Sequence, residues 1–138
     1  LMGHYYQPHN GEKLLGISLL DAYTVAGDKR FIGNVTVHTD LVEPNSLVGF
    51  ENHSGLTYLQ GSTEAIGQVV IGHGNNGQDK SEGARYKNVF GTYLHGSFLP
   101  KNPQFADYLI ELALGSKPEP LEDTIENVTH NSLINKKY

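Results

Sequence analysis

The segment "VFGTYLHGSF", residues 89–98, combines an apolar run rich in β-forming residues with a histidine that glycine follows directly. This composition predicts a buried strand, and Gly96 predicts the turn that ends it. Residues at strand ends in α/β folds face the crevice in which ligands bind. His95 is therefore a candidate site residue, although a structural histidine with satisfied hydrogen bonds has the same sequence signature.

Several further strand-like segments precede this one. In "RFIGNVTVHTD", residues 30–40, Val35 and Val37 alternate with polar residues, which is typical of a half-buried strand. Similar β-like runs are "LLGISLLDAYTV" with a bend at Gly16, "LVGFENHSG", and "TYLQGSTEAIGQVVIGHG", which Gly61 interrupts. The opening "LMGHYY", residues 1–6, is apolar and uncapped, and we interpret it as the interior of a helix that begins elsewhere.

The end of the chain is predicted to be helical. Asn102 suits an N-cap, Pro103 suits the first helical position, and Gly115 suits the C-terminal stop. Between them Phe105, Leu109 and Leu112 form one apolar stripe. A last helix is predicted from about Pro120, with an apolar face, acidic residues in its first turn and lysines at its end: Leu121, Ile125, Val128, Glu122, Asp123, Lys136 and Lys137.

Strands followed by helices predict a mixed α/β fold, a sheet with flanking helices. Because little helix separates the strands, part of the sheet is expected to be an antiparallel extension. The length of 138 residues suits one domain. The net charge of −5 and the scattered basic residues argue against nucleic-acid binding. No apolar run reaches membrane-spanning length and no signal peptide is recognised, so a cytoplasmic location is expected.

Two patterns that suggest other site types are weak. "GHGNNG", residues 72–77, matches the dinucleotide-binding signature, but the following residues lack a helical period, so we predict a polar loop beside an active site. The seven histidines contain no pair with metal-ligand spacing. Alternation places Glu51 and His53 on one strand face with Asn52 opposite, yet two ligands seldom hold a metal, and no metal site is predicted.

Three ordered motifs resemble one family. "GTYLHGSF" after a Gly/Asn-rich loop, and "GFENHSG", are similar to segments of the glutamine amidotransferase domains of the cobyric acid synthase type, a branch of the class I, triad-type amidotransferases. "RFIGNVTV" resembles the subgroup formed by GatD, the amidotransferase subunits of lipid II isoglutaminyl synthase. The opening "LMGHYY" resembles the helix that follows that family's nucleophile motif "C-G-G-Y-Q". The resemblance covers residues 1 to about 117.

The resemblance implies a class I glutamine amidotransferase-like, flavodoxin-like α/β fold, with residues 1–138 as the C-terminal portion of one such domain. It implies that His95 deprotonates a cysteine and then helps ammonia leave. This chain contains no cysteine, so the resemblance places the nucleophile upstream of Leu1. Arg30 matches a glutamine-binding arginine, and its guanidinium suits a carboxylate. Glu51, Asn52 and His53 are expected to support the site, while Ser97 occupies the position of a glutamate that many triad enzymes carry.

The resemblance also implies a Mur-ligase-like partner subunit (MurT-like) that amidates the D-glutamate of lipid II with ammonia from glutamine. No cofactor is expected in this chain, and ATP and Mg²⁺ are expected in the partner because no P-loop is present here. One alternative is an amidotransferase domain for cobyric acid or cobyrinic acid diamide in corrin synthesis. Another is an inactive, truncated module that only binds a partner.

Overall fold

The computed structural model describes residues 2–134 and 136 of the chain. Short strands and two long ones come first, and helices follow, as predicted for the part of the chain after the opening. In that part of the chain the elements are β1 (Tyr5–Gln7), β2 (Leu14–Leu15), β3 (Ala22–His38), β4 (Ser46–Leu59), β5 (Gly67–Ile71), β6 (Ser81–Glu82), β7 (Ala84–Tyr86), β8 (Val89–Gly91), α1 (Phe98–Lys101), α2 (Pro103–Leu114) and α3 (Thr124–Leu133).

The long strand β3 is the centre of a mixed sheet. One edge of β3 pairs antiparallel with β4, and the other edge pairs parallel with β1 and antiparallel with β5. β2 extends the sheet beyond β1, β6 extends it beyond β5, and β7 and β8 form a separate hairpin. The prediction of a mixed sheet with an antiparallel extension and flanking helices is confirmed.

The β3–β4 ribbon carries the main core on one face. Val35, Val37 and Leu47 are almost completely buried and pack with Leu94 of the segment after β8 and with Phe105 of α2. Burial of each such side chain stabilises the fold by about 1.5–3 kcal/mol. This packing covers the sheet with α2, and it explains why the predicted stripe of α2 begins at Phe105.

The structure corrects one helix prediction and one strand prediction. The opening is not helical in the described residues: Tyr5–Gln7 form β1, and Leu1 lies outside the part of the chain that the structure describes. The backbone of the opening follows β3 instead, because the His4 amide donates to the Ala22 carbonyl oxygen at 2.7 Å. The strand predicted to run to His95 ends at Gly91, and His95 forms only an isolated bridge.

The last helix also differs from its prediction. It begins at Thr124, so the acidic residues Glu122 and Asp123 precede its first turn, and Lys136 lies beyond its end. Lys137 lies outside the described residues. The predicted apolar residues of this helix, Ile125 and Val128, are exposed, whereas His130 is only 2% exposed. None of the helices within the described residues is long and apolar enough to cross a membrane.

Asn102 stands at the predicted start of α2, but its side chain does not cap the helix. Its amide instead forms a two-way pair with the backbone of Val48: Oδ1 accepts from the Val48 amide and Nδ2 donates to the Val48 carbonyl, both at 2.8 Å. Nδ2 also donates to the Phe98 carbonyl at 2.7 Å. The side chain therefore replaces a neighbouring strand at β4 and joins the helices to the sheet.

Asn102→Ala is expected to lower the free energy of unfolding by about 3 kcal/mol, because buried backbone groups of Val48 lose their partners. Denaturant titration monitored by circular dichroism measures the loss. Asn131→Ala, on the exposed side of α3, is the matched control and should leave stability within about 0.5 kcal/mol. Equal stability of the two variants would contradict this role of Asn102.

Candidate active site

His95 is held beside β4 by its backbone. The His95 amide donates to the Phe50 carbonyl oxygen at 2.7 Å, and the two residues form an antiparallel bridge. The residue is exposed, and it lies between the buried Leu94 and the left-handed glycine at position 96, whose φ is 67°. The core thus fixes the backbone at Leu94 while the imidazole remains available to a ligand.

Arg30 reaches β4 from the opposite strand. The register of β3 against β4 shifts between Ala26 and Phe31, which bulges the segment that carries Arg30. Its Nε donates to Asn52 Oδ1 at 2.6 Å. Asn52 lies two residues along β4 from Phe50, the residue that pairs with His95. The structure therefore brings Arg30, Asn52 and His95 to one stretch of the sheet.

Glu51 and His53 lie on the same face of β4, and Asn52 lies on the other, as strand alternation predicts. Glu51 is 1% exposed and His53 is 8% exposed, whereas Asn52 is exposed. The Glu51 carboxylate accepts hydrogen bonds from the loop after β5: from the His73 amide at 3.1 Å, from His73 Nδ1 at 2.6 Å, and from the Gly74 amide at 3.0 Å. Glu51 therefore fixes the "GHGNNG" segment at this site.

Aromatic rings connect that loop to the strands. The His73 ring lies parallel to the Phe31 ring with centroids 4.2 Å apart, and Phe31 meets His53 edge to face at 5.5 Å. On its other side His53 stacks on Tyr93 at 3.6 Å. The four rings form one continuous packed unit between the loop at residues 72–77 and the segment that leads to His95.

His53 is a neutral imidazole at neutral pH. Its Nδ1–H donates to the Gly55 carbonyl at 2.9 Å, so Nε2 is an acceptor, and it lies 4.0 Å from Glu51 Oε2. Within the described residues Nε2 has no hydrogen-bond partner. Burial lowers the pKa of His53; the bond to Gly55 and the charge of Glu51 oppose this, and the nearby His95 and His73 lower it further.

A second buried carboxylate, Glu82, was not recognised from the sequence. Its Oε1 accepts from Thr92 Oγ1 at 2.6 Å and from the Tyr93 amide at 2.9 Å. Burial raises the pKa of Glu82. The Tyr93 hydroxyl continues the network to Thr57 at 2.8 Å. Glu82 thus fixes the backbone that precedes His95, and only its position in the fold, not a motif, identifies it.

A cavity of about 320 Å³ adjoins this network. Its lining includes the polar residues Thr24, Thr57 and Tyr93 and the apolar residues Met2 and Leu20. Thr24 and Thr57 are themselves hydrogen-bonded at 2.8 Å. The cavity therefore joins the start of the described chain to Tyr93, two residues before His95.

Ser18, His4 and Asp21 form a hydrogen-bonded series that resembles a nucleophilic triad. His4 Nδ1 lies 3.0 Å from Ser18 Oγ, and His4 Nε2 lies 2.9 Å from Asp21 Oδ1. A hydrolytic triad also needs donors for an oxyanion. The amides at positions 18–20 already donate to the Met2 and Gly3 carbonyls. The three side chains therefore fasten the segment before β3 onto the opening of the chain.

A dinucleotide-binding site and a metal site, the two other site types considered from the sequence, have little support in the geometry. Residues 72–80 form a loop with turns and no helix, as predicted, so no helix N-terminus is available there for a pyrophosphate. Within the described residues no group of three or more histidine or acidic side chains is arranged to hold a metal ion.

A mixed sheet flanked by helices, with an exposed histidine fixed beside its long central ribbon, is the α/β arrangement that the resemblance to class I glutamine amidotransferases implies. Residues 1–103 match the CobB/CobQ-like glutamine amidotransferase domain, and the chain belongs to this family. The resemblance recognised in the sequence motifs is thereby confirmed.

Curated relatives are of two kinds. The chain is 44% identical over 121 residues to the lipid II isoglutaminyl synthase subunit GatD of Staphylococcus aureus strain N315, covering 88% of this chain and 48% of that protein. It is 40% identical over 118 residues to GatD of Streptococcus pneumoniae R6, covering 85% and 45%. A cobyric acid synthase of Listeria innocua is 32% identical over 88 residues, covering 62% and 17%. The chain spans about half the length of the GatD relatives.

The lowered pKa of His53 predicts that stability falls under mildly acidic conditions. Well above pH 6.5, its ordinary pKa, both folded and unfolded chains hold this imidazole neutral. Below pH 6.5 the unfolded chain binds a proton at this imidazole more readily than the folded protein does. The free energy of unfolding therefore decreases as the pH decreases, by at most about 1.4 kcal/mol per pH unit for this group.

Comparison of wild type with His53→Asn by denaturant unfolding at pH 7.5, 6.5 and 5.5 measures this contribution. Asparagine preserves the donor to Gly55 and removes the titration, so the stability difference should shift in favour of the variant as pH falls. His9→Asn is the control, because the His9 side chain is 55% exposed. A pH-independent difference for His53→Asn would contradict the assignment.

Proposed function

We propose that this protein is a glutamine amidotransferase subunit that hydrolyses glutamine and delivers ammonia to a synthetase. The observation that carries the proposal is the position of His95, exposed and fixed beside β4 two residues from the site at which Asn52 meets Arg30. Membership of the CobB/CobQ-like family supports it. An exposed imidazole and an exposed guanidinium on one stretch of the sheet suit a small amino acid with an α-carboxylate and a reactive side-chain amide.

His95 acts as the proton carrier of the reaction. It takes the proton of a cysteine thiol, and the thiolate attacks the amide carbon of glutamine. The C–N bond then breaks, His95 returns the proton to the leaving nitrogen, and ammonia departs. Water, activated in the same way, cleaves the thioester and releases glutamate. The cysteine belongs to a segment that the resemblance places before Leu1, and this placement stays a prediction.

Arg30 binds the α-carboxylate of glutamine in this proposal. It is exposed at the bulge of β3, and Asn52 orients its guanidinium through Nε, which leaves the terminal nitrogens for a bidentate pair. Glu51 and His53 are buried, so they support this arrangement from the other face of β4 rather than touch the substrate.

We propose lipid II, through its D-glutamate, as the acceptor, and a Mur-ligase-like subunit as the partner. The support is the identity to the two GatD proteins, which are named as subunits of lipid II isoglutaminyl synthase. The partner would bind ATP and Mg²⁺ and the reaction would take place in the cytoplasm, where these substrates are available. The corrin alternative has weaker support, since the cobyric acid synthase match covers 62% of this chain.

His95→Ala is expected to lower glutamine hydrolysis about 10³-fold, because a positioned general base contributes 10²–10⁴-fold. Ammonia release is measured by a coupled glutamate dehydrogenase assay on the protein expressed from its complete reading frame, with and without a Mur-ligase-like partner. Ser97→Ala is the matched control and should retain activity, since Ser97 makes no side-chain cap of α1. Wild-type protein without glutaminase activity in both conditions would favour a module that only binds a partner.

Arg30→Lys is expected to raise KM for glutamine about tenfold with little change in kcat. Lysine keeps the charge but loses the bidentate pair, and interactions remote from the reacting amide contribute equally to ground-state and transition-state binding. Steady-state kinetics over a range of glutamine concentrations separate the two constants, with Lys29→Arg as the control on the same bulge. An unchanged KM would contradict substrate binding by Arg30.

A further inference from the structure

We propose that Glu51 is a positioning residue for glutamine binding, which acts by holding His73 against Phe31 and thereby fixing the segment that carries Arg30. The inference rests on the proposed function of the preceding subsection and assigns roles within it to Glu51 and to the loop at residues 72–77. Neither Glu51 nor His73 touches the substrate in this scheme. Both determine where the guanidinium stands before glutamine arrives.

The first step is the capture of the loop by a buried charge. The Glu51 carboxylate is 1% exposed, and its described hydrogen bonds all come from the loop: two backbone amides, those of His73 and Gly74, and the His73 ring. Such charge-assisted bonds are about twice as strong as neutral ones. A buried carboxylate without these donors would be costly, so the loop is tied to β4 at this point.

The second step transmits this position to β3. The His73 ring lies flat on Phe31, with an interplanar angle of 3°. Gly77, at the other end of the loop, approaches the same ring so closely that a Cβ there would stand 2.8 Å from Phe31 Cζ. Its φ of 71° also favours glycine. The loop therefore contacts Phe31 from two of its residues.

The third step runs along the polypeptide chain, from Phe31 to its neighbour Arg30. Phe31 directly follows Arg30, at the residue where the β3–β4 register resumes after the bulge. The bulge itself has no ladder pairs between Ala26 and Phe31, so the position of Phe31 sets where the bulge ends. Arg30 is exposed and has its Nε bond to Asn52 as a further restraint. Packing of Phe31 thus removes conformational freedom that glutamine binding would otherwise have to remove.

The test compares glutamine hydrolysis by wild type, Glu51→Gln and the exposed control Glu64→Gln, each expressed from the complete reading frame with its partner. Glu51→Gln is expected to raise KM about tenfold while kcat changes less than threefold, the pattern of lost uniform binding. A carboxylate that only stabilises the fold would reduce the active fraction, which lowers kcat and leaves KM unchanged. That second pattern would overturn the inference.

A second pair of variants covers the case in which Glu51→Gln folds poorly. The His73 side chain is 51% exposed, so its replacement spares the core. His73→Ala removes the ring from Phe31 and should raise KM about as much as Glu51→Gln. His73→Phe keeps a flat ring on Phe31 and both backbone bonds to Glu51, and should return KM to within threefold of wild type. Equal KM values for the two variants would overturn the role of the ring.

Hydrogen exchange gives a readout that does not depend on activity. In Glu51→Gln the His73 and Gly74 amides should exchange about tenfold faster, since each loses a charged acceptor. Unchanged exchange would overturn the capture of the loop by Glu51. Wild type without any glutamine hydrolysis would overturn the proposed function and this inference together, whereas active wild type with an unaltered KM in Glu51→Gln would overturn this inference alone.

Discussion

The arrangement of this site depends on one buried negative charge. Glu51 sits on the core-facing side of β4, where an unpaired carboxylate would cost several kcal/mol. Three N–H donors from the loop after β5 offset that cost, so the loop has one strongly preferred position. The rings of His73, Phe31, His53 and Tyr93 then pack in series on that position. The hydrogen bonds to Glu51 determine the position of the loop at residues 72–77, and the aromatic packing couples that position to the neighbouring strands.

The two faces of the β3–β4 ribbon have different roles: one forms the core, and the other carries exposed site residues. One face buries valines, leucines and the Glu51–His53 pair, while the other exposes Asn52 to the guanidinium of Arg30. His95 joins this ribbon through a backbone bridge to Phe50. Its position therefore depends on main-chain geometry and on the burial of Leu94, while the residue itself is exposed.

Several elements were predictable because their cause is local. Alternation in residues 30–40 and the β-like run at residues 47–55 indicated two strands, and alternation placed Glu51 and His53 on one face with Asn52 opposite. Pro103 and Gly115 marked the ends of α2 correctly. The opening was predicted wrongly because its apolar composition suits a helix, whereas pairing with β3 makes Tyr5–Gln7 a strand. Asn102 was placed correctly at the helix start, but competition from the Val48 backbone redirected its side chain.

By itself, the sequence determined the class of fold, the family through its three motifs, and His95 and Arg30 as candidates, because periodicity and motif residues are properties of neighbouring positions. Only the tertiary structure decided which distant groups meet. Glu51 and His73 are separated by 22 residues, and Glu82 and Tyr93 by 11. Their contacts arise from strand register and from the requirement that buried charges find donors, and neither follows from the order of residues alone.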